Sequence, residues 1–215
     1  MTERDRPPVT VVWCDFGGVL TPALGNAMRE VSAASGVEWD DLWGAADAVA
    51  RRLGLSGLQP LELGRLSQHE WGQRVSAALP AGVVSAVDLG LWGDYWYHDR
   101  PVNSELIAEL VRVSEAGVRI GMLTNSVLEW EPHRDRMLAG ATVFEEHVRS
   151  HEIDLAKPDP RIFDHADGLL PAGAGRAVLI DDLAANCAAA EAHGWLGLHH
   201  LDTGSTIARL RELVG

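Results

Sequence analysis

Cysteine is nearly absent: Cys14 and Cys187 are the two in 215 residues. Two thiols make no disulfide framework, and both lie in apolar stretches where a thiol serves as a small core residue, so a reducing, cytoplasmic setting is expected. Basic residues are also scarce, with 18 Lys and Arg against 31 Asp and Glu and a net charge of -13. No run of Lys and Arg offers a groove for a phosphate backbone, which argues against nucleic acid as a partner. Uninterrupted apolar runs of about 18 residues are missing, so no membrane span is expected. The stretch Thr2-Glu3-Arg4-Asp5-Arg6-Pro7-Pro8 leads into an apolar run that stops at Asp15, which lacks the core of a signal peptide. Long polar low-complexity tracts are missing too, and 47% hydrophobic residues suffice for an ordinary core.

What is present alternates. Val9 to Cys14 (VTVVWC), Val118 to Leu123 (VRIGML) and Ala177 to Ile180 (AVLI) read as buried strands, each running into polar residues. Helical patterns cover Asn103 to Ala116, stopped by Gly117, then Pro160 to Gly168, then Leu183 to His193, stopped by Gly194. Trp195 to His199 is a further strand candidate. This alternation predicts an α/β fold, a Rossmann-like doubly wound parallel sheet covered on both faces, with ligands at the carboxyl ends of its strands. Residues 21–101 break the pattern with helices over Gly25 to Ser35, Trp39 to Leu53 and Ser67 to Leu79. The last opens with a capping-box string, Ser67-Gln68-His69-Glu70, expected to satisfy two free amides. A core of residues 1–20 plus 102–215 with an inserted small helical cap over 21–101 is therefore expected.

Four polar groups stand at strand ends or in loops beside them: Asp15, Thr124, Lys157 and the pair Asp181-Asp182. Carboxylates gathered with a lysine and a hydroxyl suit a hard cation such as Mg²⁺, which takes oxygen ligands from one or two carboxylates and from substrate phosphate. One carboxylate is then left as a nucleophile toward phosphorus.

These motifs resemble the haloacid dehalogenase superfamily. Asp15-Phe16-Gly17-Gly18-Val19-Leu20-Thr21 is similar to its Asp-x-Asp-Gly-x-Leu-Thr motif, and Gly121-Met122-Leu123-Thr124-Asn125-Ser126 to its second. Ala156-Lys157-Pro158-Asp159-Pro160 resembles the third, and Ile180-Asp181-Asp182-Leu183-Ala184-Ala185-Asn186 the fourth. The helical insert resembles the helical-cap members, and Glu62-Leu63-Gly64-Arg65-Leu66-Ser67 is similar to the cap of sugar-1-phosphate phosphatases and of the amino-terminal phosphatase domain of soluble epoxide hydrolase.

The resemblance implies a Mg²⁺-dependent phosphatase or phosphotransferase acting on a small phosphorylated metabolite, as a monomer or homodimer. Asp15 would form an aspartyl-phosphate, with Asp15, the Gly17 carbonyl and Asp182 on the metal and Asp181 reaching it through water. Thr124, Asn125 and Lys157 would hold phosphate oxygens, and Asn186 would orient the loop. The family's second aspartate, two residues after the nucleophile, is Gly17 here. That group protonates the leaving oxygen and later activates water, so a substitute is sought among His98 and Asp99 in the cap and His133. Most of the aromatic residues in 39–97 are expected to pack the cap, with Trp92 or Trp96 the candidates to reach substrate. The nine histidines show no zinc-site spacing. Two other readings stay open: a 2-haloacid dehalogenase, whose leaving halide needs no acid, and a fold retained to bind a ligand or protein partner without turnover.

Overall fold

The structure, a computed structural model, describes residues 7–171 and 175–214; residues 2–6, read above for the core of a signal peptide, lie outside it. Five strands form one parallel sheet: β1 (Val9–Cys14), β2 (Arg119–Thr124), β3 (Glu146–Arg149), β4 (Arg176–Asp181) and β5 (Leu196–His199). Their order is β3-β2-β1-β4-β5. Eleven α-helices are described: α1 (Leu24–Ser35), α2 (Trp39–Arg51), α3 (Gln59–Glu62), α4 (Gln68–Ala78), α5 (Trp92–Trp96), α6 (Ser104–Glu115), α7 (Glu131–Met137), α8 (Ser150–Ile153), α9 (Pro160–Gly168), α10 (Ala184–His193) and α11 (Thr203–Val214).

The central strands are mostly apolar because both of their faces are buried. Val12, Cys14, Ile120, Met122, Val178 and Ile180 join the core beneath α6 and α11 and toward the helical insert. Val11, Trp13, Leu123, Ala177 and Leu179 face the opposite layer, where Ile162, Phe163 and Ala166 of α9 and Ala190 of α10 cover them. Trp13 is fully buried in that layer, and the chain makes room for it: its register partner is Gly121, where a Cβ would stand 2.4 Å from the indole. The Trp13 ring in turn stacks on Trp195, with centroids 6.2 Å apart.

All of α1 to α5 fall between β1 and α6. The chain leaves the sheet at Leu20 and returns at Asn103, and the two points are tied together. The Asn103 amide donates to Leu20 O at 2.8 Å and its side chain to Val19 O at 3.0 Å. Gln68, the first residue of α4, anchors the insert to the core. Its Nε2 donates to Gly90 O at 2.9 Å, its amide donates to Glu129 at 2.9 Å, and its Oε1 accepts from the Trp130 indole. The capping box forms only by half. Ser67 Oγ accepts from the Glu70 amide at 3.2 Å, but the Glu70 carboxylate is drawn to Arg74, 2.6 Å away, one turn along α4. Among the described residues, no helix is long and apolar enough to cross a membrane.

Candidate active site

Asp15 follows β1, Thr124 ends β2, and Asp181 ends β4 with Asp182 next to it. Three adjacent parallel strands therefore deliver their polar ends to one edge of the sheet, where such folds hold ligands. Lys157 arrives from the loop before α9. Its Nζ lies 3.1 Å from Asp15 Oδ1 and 2.6 Å from Asp181 Oδ2, and it donates to Leu123 O at 2.7 Å. The Lys157 side chain is 1% exposed. Burial opposes its charge, but the two carboxylates outweigh this and hold its pKa above the ordinary lysine value.

Asn125 fixes that loop. Its Nδ2 donates to Lys157 O at 3.0 Å and its Oδ1 accepts from the Lys157 amide at 2.8 Å, so the side chain is committed to the lysine. Only the backbone amide of Asn125 is left for a phosphate oxygen. Thr124 is buried, and its hydroxyl lies close enough to help hold the Asp15 carboxylate ionised.

The acidic pair divides in two. Asp181 is fully buried with both oxygens engaged: Oδ2 by Lys157, and Oδ1 by the Leu183 amide and Asn186 Nδ2, both at 2.9 Å. Asn186 thus orients Asp181 from the first turn of α10. Asp182 is only partly buried. Burial, then Asp15, then Asp181 raise its pKa to about 6.

Asp15, Asp181 and Asp182 offer oxygens that lie within 4.8 Å of one another. An all-oxygen set with a net negative charge fits Mg²⁺. Because Asp181 is spoken for, Asp15 and Asp182 are the carboxylates with oxygens free to meet a cation.

Over these groups lies a small cavity of about 100 Å³. Asp15, Gly17, Lys157 and Asp182 form its floor, and Trp96, Tyr97, Leu58 and Trp130 are among its walls. Arg134 is the second buried cation here. It sits 5.1 Å over the Phe16 ring, with Nε donating to Tyr97 Oη at 3.0 Å and Nη2 to Asn125 O at 3.2 Å. A wider cleft of about 510 Å³, lined by Thr21, Pro101 and His200, meets this site at Asp182.

Residues 9–194 match the family model of haloacid dehalogenase-like hydrolases. The chain belongs to that family. This hydrolase is 36% identical over 147 residues to a sesquiterpene phosphatase of Aspergillus oryzae, covering 68% of this chain and 71% of that protein. It is 21% identical over 213 residues to bifunctional epoxide hydrolase 2 of Rattus norvegicus, covering 94% of this chain but 38% of that protein. Its fold is shared with a family member from Bacteroides thetaiotaomicron crystallised with magnesium and inorganic phosphate, at a TM-score of 0.64, 17% identity and coverage of 89% and 93% of the two chains.

Several residues singled out in the sequence of this hydrolase lie elsewhere. His98 and Asp99 stand at the surface, with side chains 67% and 93% exposed, and neither lines the cavity. His133 is taken up by Asp94 at 3.0 Å and Arg136 at 2.8 Å, stacked against Tyr97. Trp92 is fully buried edge-on against Trp71, leaving Trp96 as the one of the pair that lines the cavity. The residue that sequence reasoning missed is Glu62. It ends α3 one helical turn after Leu58, and both side chains line the cavity. Burial raises its pKa to about 7, with Arg134 opposing, Asp15 adding and Lys157 opposing.

These shifts have a stability consequence. In the folded, metal-free protein, Glu62, Asp182 and Asp15 keep protons that the unfolded chain releases near the ordinary carboxylate values. Raised carboxyl pKa values mean that stability is greatest below the unfolded values and is lost as pH rises through the folded ones. His133, His147 and His200, lowered first by burial, act in the opposite sense. Between about pH 5 and about pH 7 the carboxyl groups of Glu62 and Asp182 should cost the chelator-treated protein stability in denaturant titrations, and Mg²⁺ should recover the share of Asp15 and Asp182.

Proposed function

We propose that this hydrolase is a Mg²⁺-dependent phosphatase of small phosphate monoesters and works through an aspartyl-phosphate on Asp15. The observation that carries the reading is the division of labour among the buried charges. Lys157 bridges Asp15 and Asp181 while Asp182 stays open beside Asp15, an arrangement that leaves one nucleophilic oxygen and one free carboxylate facing the cavity.

Asp15 attacks phosphorus, and the bond from phosphorus to the ester oxygen breaks. Lys157 stays charged throughout and neutralises phosphate oxygens next to the nucleophile. The Thr124 hydroxyl and the Asn125 amide lie at the end of β2 and would hold the remaining oxygens. Mg²⁺ bound at Asp15 and Asp182 would supply charge neutralisation for a dianionic ester approaching an anionic nucleophile. Asp181, held by three donors, keeps Lys157 in place.

The walls formed by Leu58, Trp96 and Trp130 favour an apolar alcohol as the leaving portion, in keeping with the similarity to a sesquiterpene phosphatase. Attack at carbon, as in a haloacid dehalogenase, would leave Asp182 with nothing to do.

The test is phosphate release from a panel of alkyl, prenyl and sugar phosphates with Mg²⁺ or chelator. Release that depends on the metal, together with mass-spectrometric detection of a phosphoryl group on the Asp15 peptide after acid quench, is the expected result. Silence across the panel in a folded protein that binds Mg²⁺ would shift the reading to ligand binding without turnover, and halide release without metal would shift it to the dehalogenase.

A further inference from the structure

An aspartate nucleophile leaves a proton unaccounted for. The departing alkoxide needs one, and the water that later attacks phosphorus must lose one. Gly17 has no group to offer, His98 and Asp99 are exposed, and His133 is bound to Asp94 and Arg136. The ionisable residues that line the cavity are Asp15, Glu62, Tyr97, Arg134, Lys157 and Asp182. Lys157 and Arg134 are held as cations by their neighbours, and the Tyr97 hydroxyl accepts from Arg134. Asp15 and Asp182 would hold the cation. One carboxyl is left.

We propose that Glu62, carried into the cavity by cap helix α3, is the general acid and base for the reaction at Asp15. The proposal rests on the phosphatase reading and supplies the proton carrier that reading lacks. The placement of Glu62 is firm. Ser150 Oγ donates to Glu62 O at 2.6 Å and accepts from the Ser126 amide at 2.8 Å, so one hydroxyl joins the end of α3 to the loop that carries Thr124 and Asn125. Arg65 pairs with Asp154 at 2.6 Å just beyond. Among the described residues no side-chain hydrogen bond engages the Glu62 carboxyl, which leaves it free to meet a substrate oxygen.

Its charged surroundings come from three elements: Arg134 on α7, Asp15 after β1, and Lys157 before α9. Burial outweighs the two cations and brings the carboxyl to about 7, where it can both give and take a proton at neutral pH.

The first step uses the protonated form. Asp15 Oδ bonds to phosphorus, the ester P–O bond breaks with its electron pair on oxygen, and the Glu62 proton passes to that oxygen to give the free alcohol. The second uses the carboxylate. Water bonds to phosphorus, its proton passes to Glu62, and the bond from phosphorus to Asp15 breaks to give inorganic phosphate. Both residues end as they began. Because the acid belongs to the insert and the nucleophile to the sheet, turnover requires the insert to be seated.

The experiment compares Glu62→Gln with the unmodified enzyme on an alkyl phosphate and on 2,4-dinitrophenyl phosphate, whose leaving group needs no proton. Glu62→Gln is expected to lose about 10²- to 10⁴-fold in kcat on the alkyl ester. On the aryl ester it should show a burst of dinitrophenolate followed by slow turnover, with phosphate accumulating on Asp15. The burst itself shows that the variant is folded. Glu62→Asp, which keeps a carboxyl, should retain turnover of the alkyl ester above that of Glu62→Gln. An unchanged alkyl-ester rate, or equal losses on both esters with no burst, would overturn the role of Glu62 while leaving the phosphatase reading intact. Ester hydrolysis that survives Asp15→Asn in the otherwise unmodified enzyme would overturn that reading itself and Glu62 with it.

Discussion

Asp15→Asn is expected to abolish turnover while leaving the fold at least as stable as before, whereas Lys157→Met should lose both. The two residues touch each other, yet the consequences differ because of what each leaves behind. Asp15 is buried, and burial together with Asp181 raises its pKa against the pull of Lys157, so its charge is a cost to the folded state. Replacing it with a neutral amide removes that cost. Lys157 is not stranded, because it keeps Asp181 at 2.6 Å and Leu123 O at 2.7 Å. Removing Lys157 instead leaves two buried carboxylates facing each other with their shared cation gone. Breaking a buried pair from one side costs about 3–5 kcal/mol. For a chain of this size that is roughly 6–20 °C in melting temperature, measured by calorimetry in the presence of chelator. The sign of the pH dependence checks the cause. With Lys157 gone, the pull that lowers the Asp15 pKa against burial is lost, so the deficit of Lys157→Met should shrink as pH falls toward about 4. An equal deficit at all pH values would point to lost packing of the lysine stem.

How far the site could be read in advance depends on burial. The central strands carry side chains into two cores, so Val9–Cys14, Arg119–Thr124 and Arg176–Asp181 are plain apolar runs in the sequence and their polar ends stand out. The edge strand Glu146–Arg149 carries one buried residue, Val148, and reads as polar loop. Helix Thr203–Val214 buries only Thr206, Ile207 and Leu210, too thin a stripe to stand out by eye. Among the acids, sequence spacing brings Asp181 and Asp182 together, but only their neighbours tell them apart, since Lys157, Asn186 and the Leu183 amide all reach the first. The search for a second proton carrier went to His98, Asp99 and His133 because their side-chain chemistry suggested it. Exposure of the first two, and the Asp94 and Arg136 contacts of the third, are tertiary facts. Glu62 stood in view within Glu62-Leu63-Gly64-Arg65-Leu66-Ser67. Nothing in that string says that a four-residue helix would turn its last side chain toward Asp15.

The second large effect is expected at a position with no side chain. Gly18→Ala should weaken Mg²⁺ binding by about 10- to 100-fold, the cost usual when a group that orients a metal ligand is disturbed. Gly18 has φ of +77°, and a Cβ there would lie 2.0 Å from Asp182 Oδ2 and 2.4 Å from its Cγ. The left-handed backbone alone costs an alanine about 1–2 kcal/mol. The overlap cannot be relieved without moving the Asp182 carboxylate, the oxygen donor that β4 presents beside Asp15. The neighbouring Gly17 supplies the control. A Cβ at Gly17 meets only Leu24 Cδ2, at 3.5 Å, which is ordinary contact, so Gly17→Ala should change stability by no more than about 0.5 kcal/mol. Titration calorimetry with Mg²⁺ on both variants reads the difference without reference to catalysis. Equal affinities for Gly17→Ala and Gly18→Ala would mean that Asp182 does not hold the cation. A loss confined to Gly18→Ala would tie metal binding to Asp182 and explain why a glycine must stand three residues after the nucleophile.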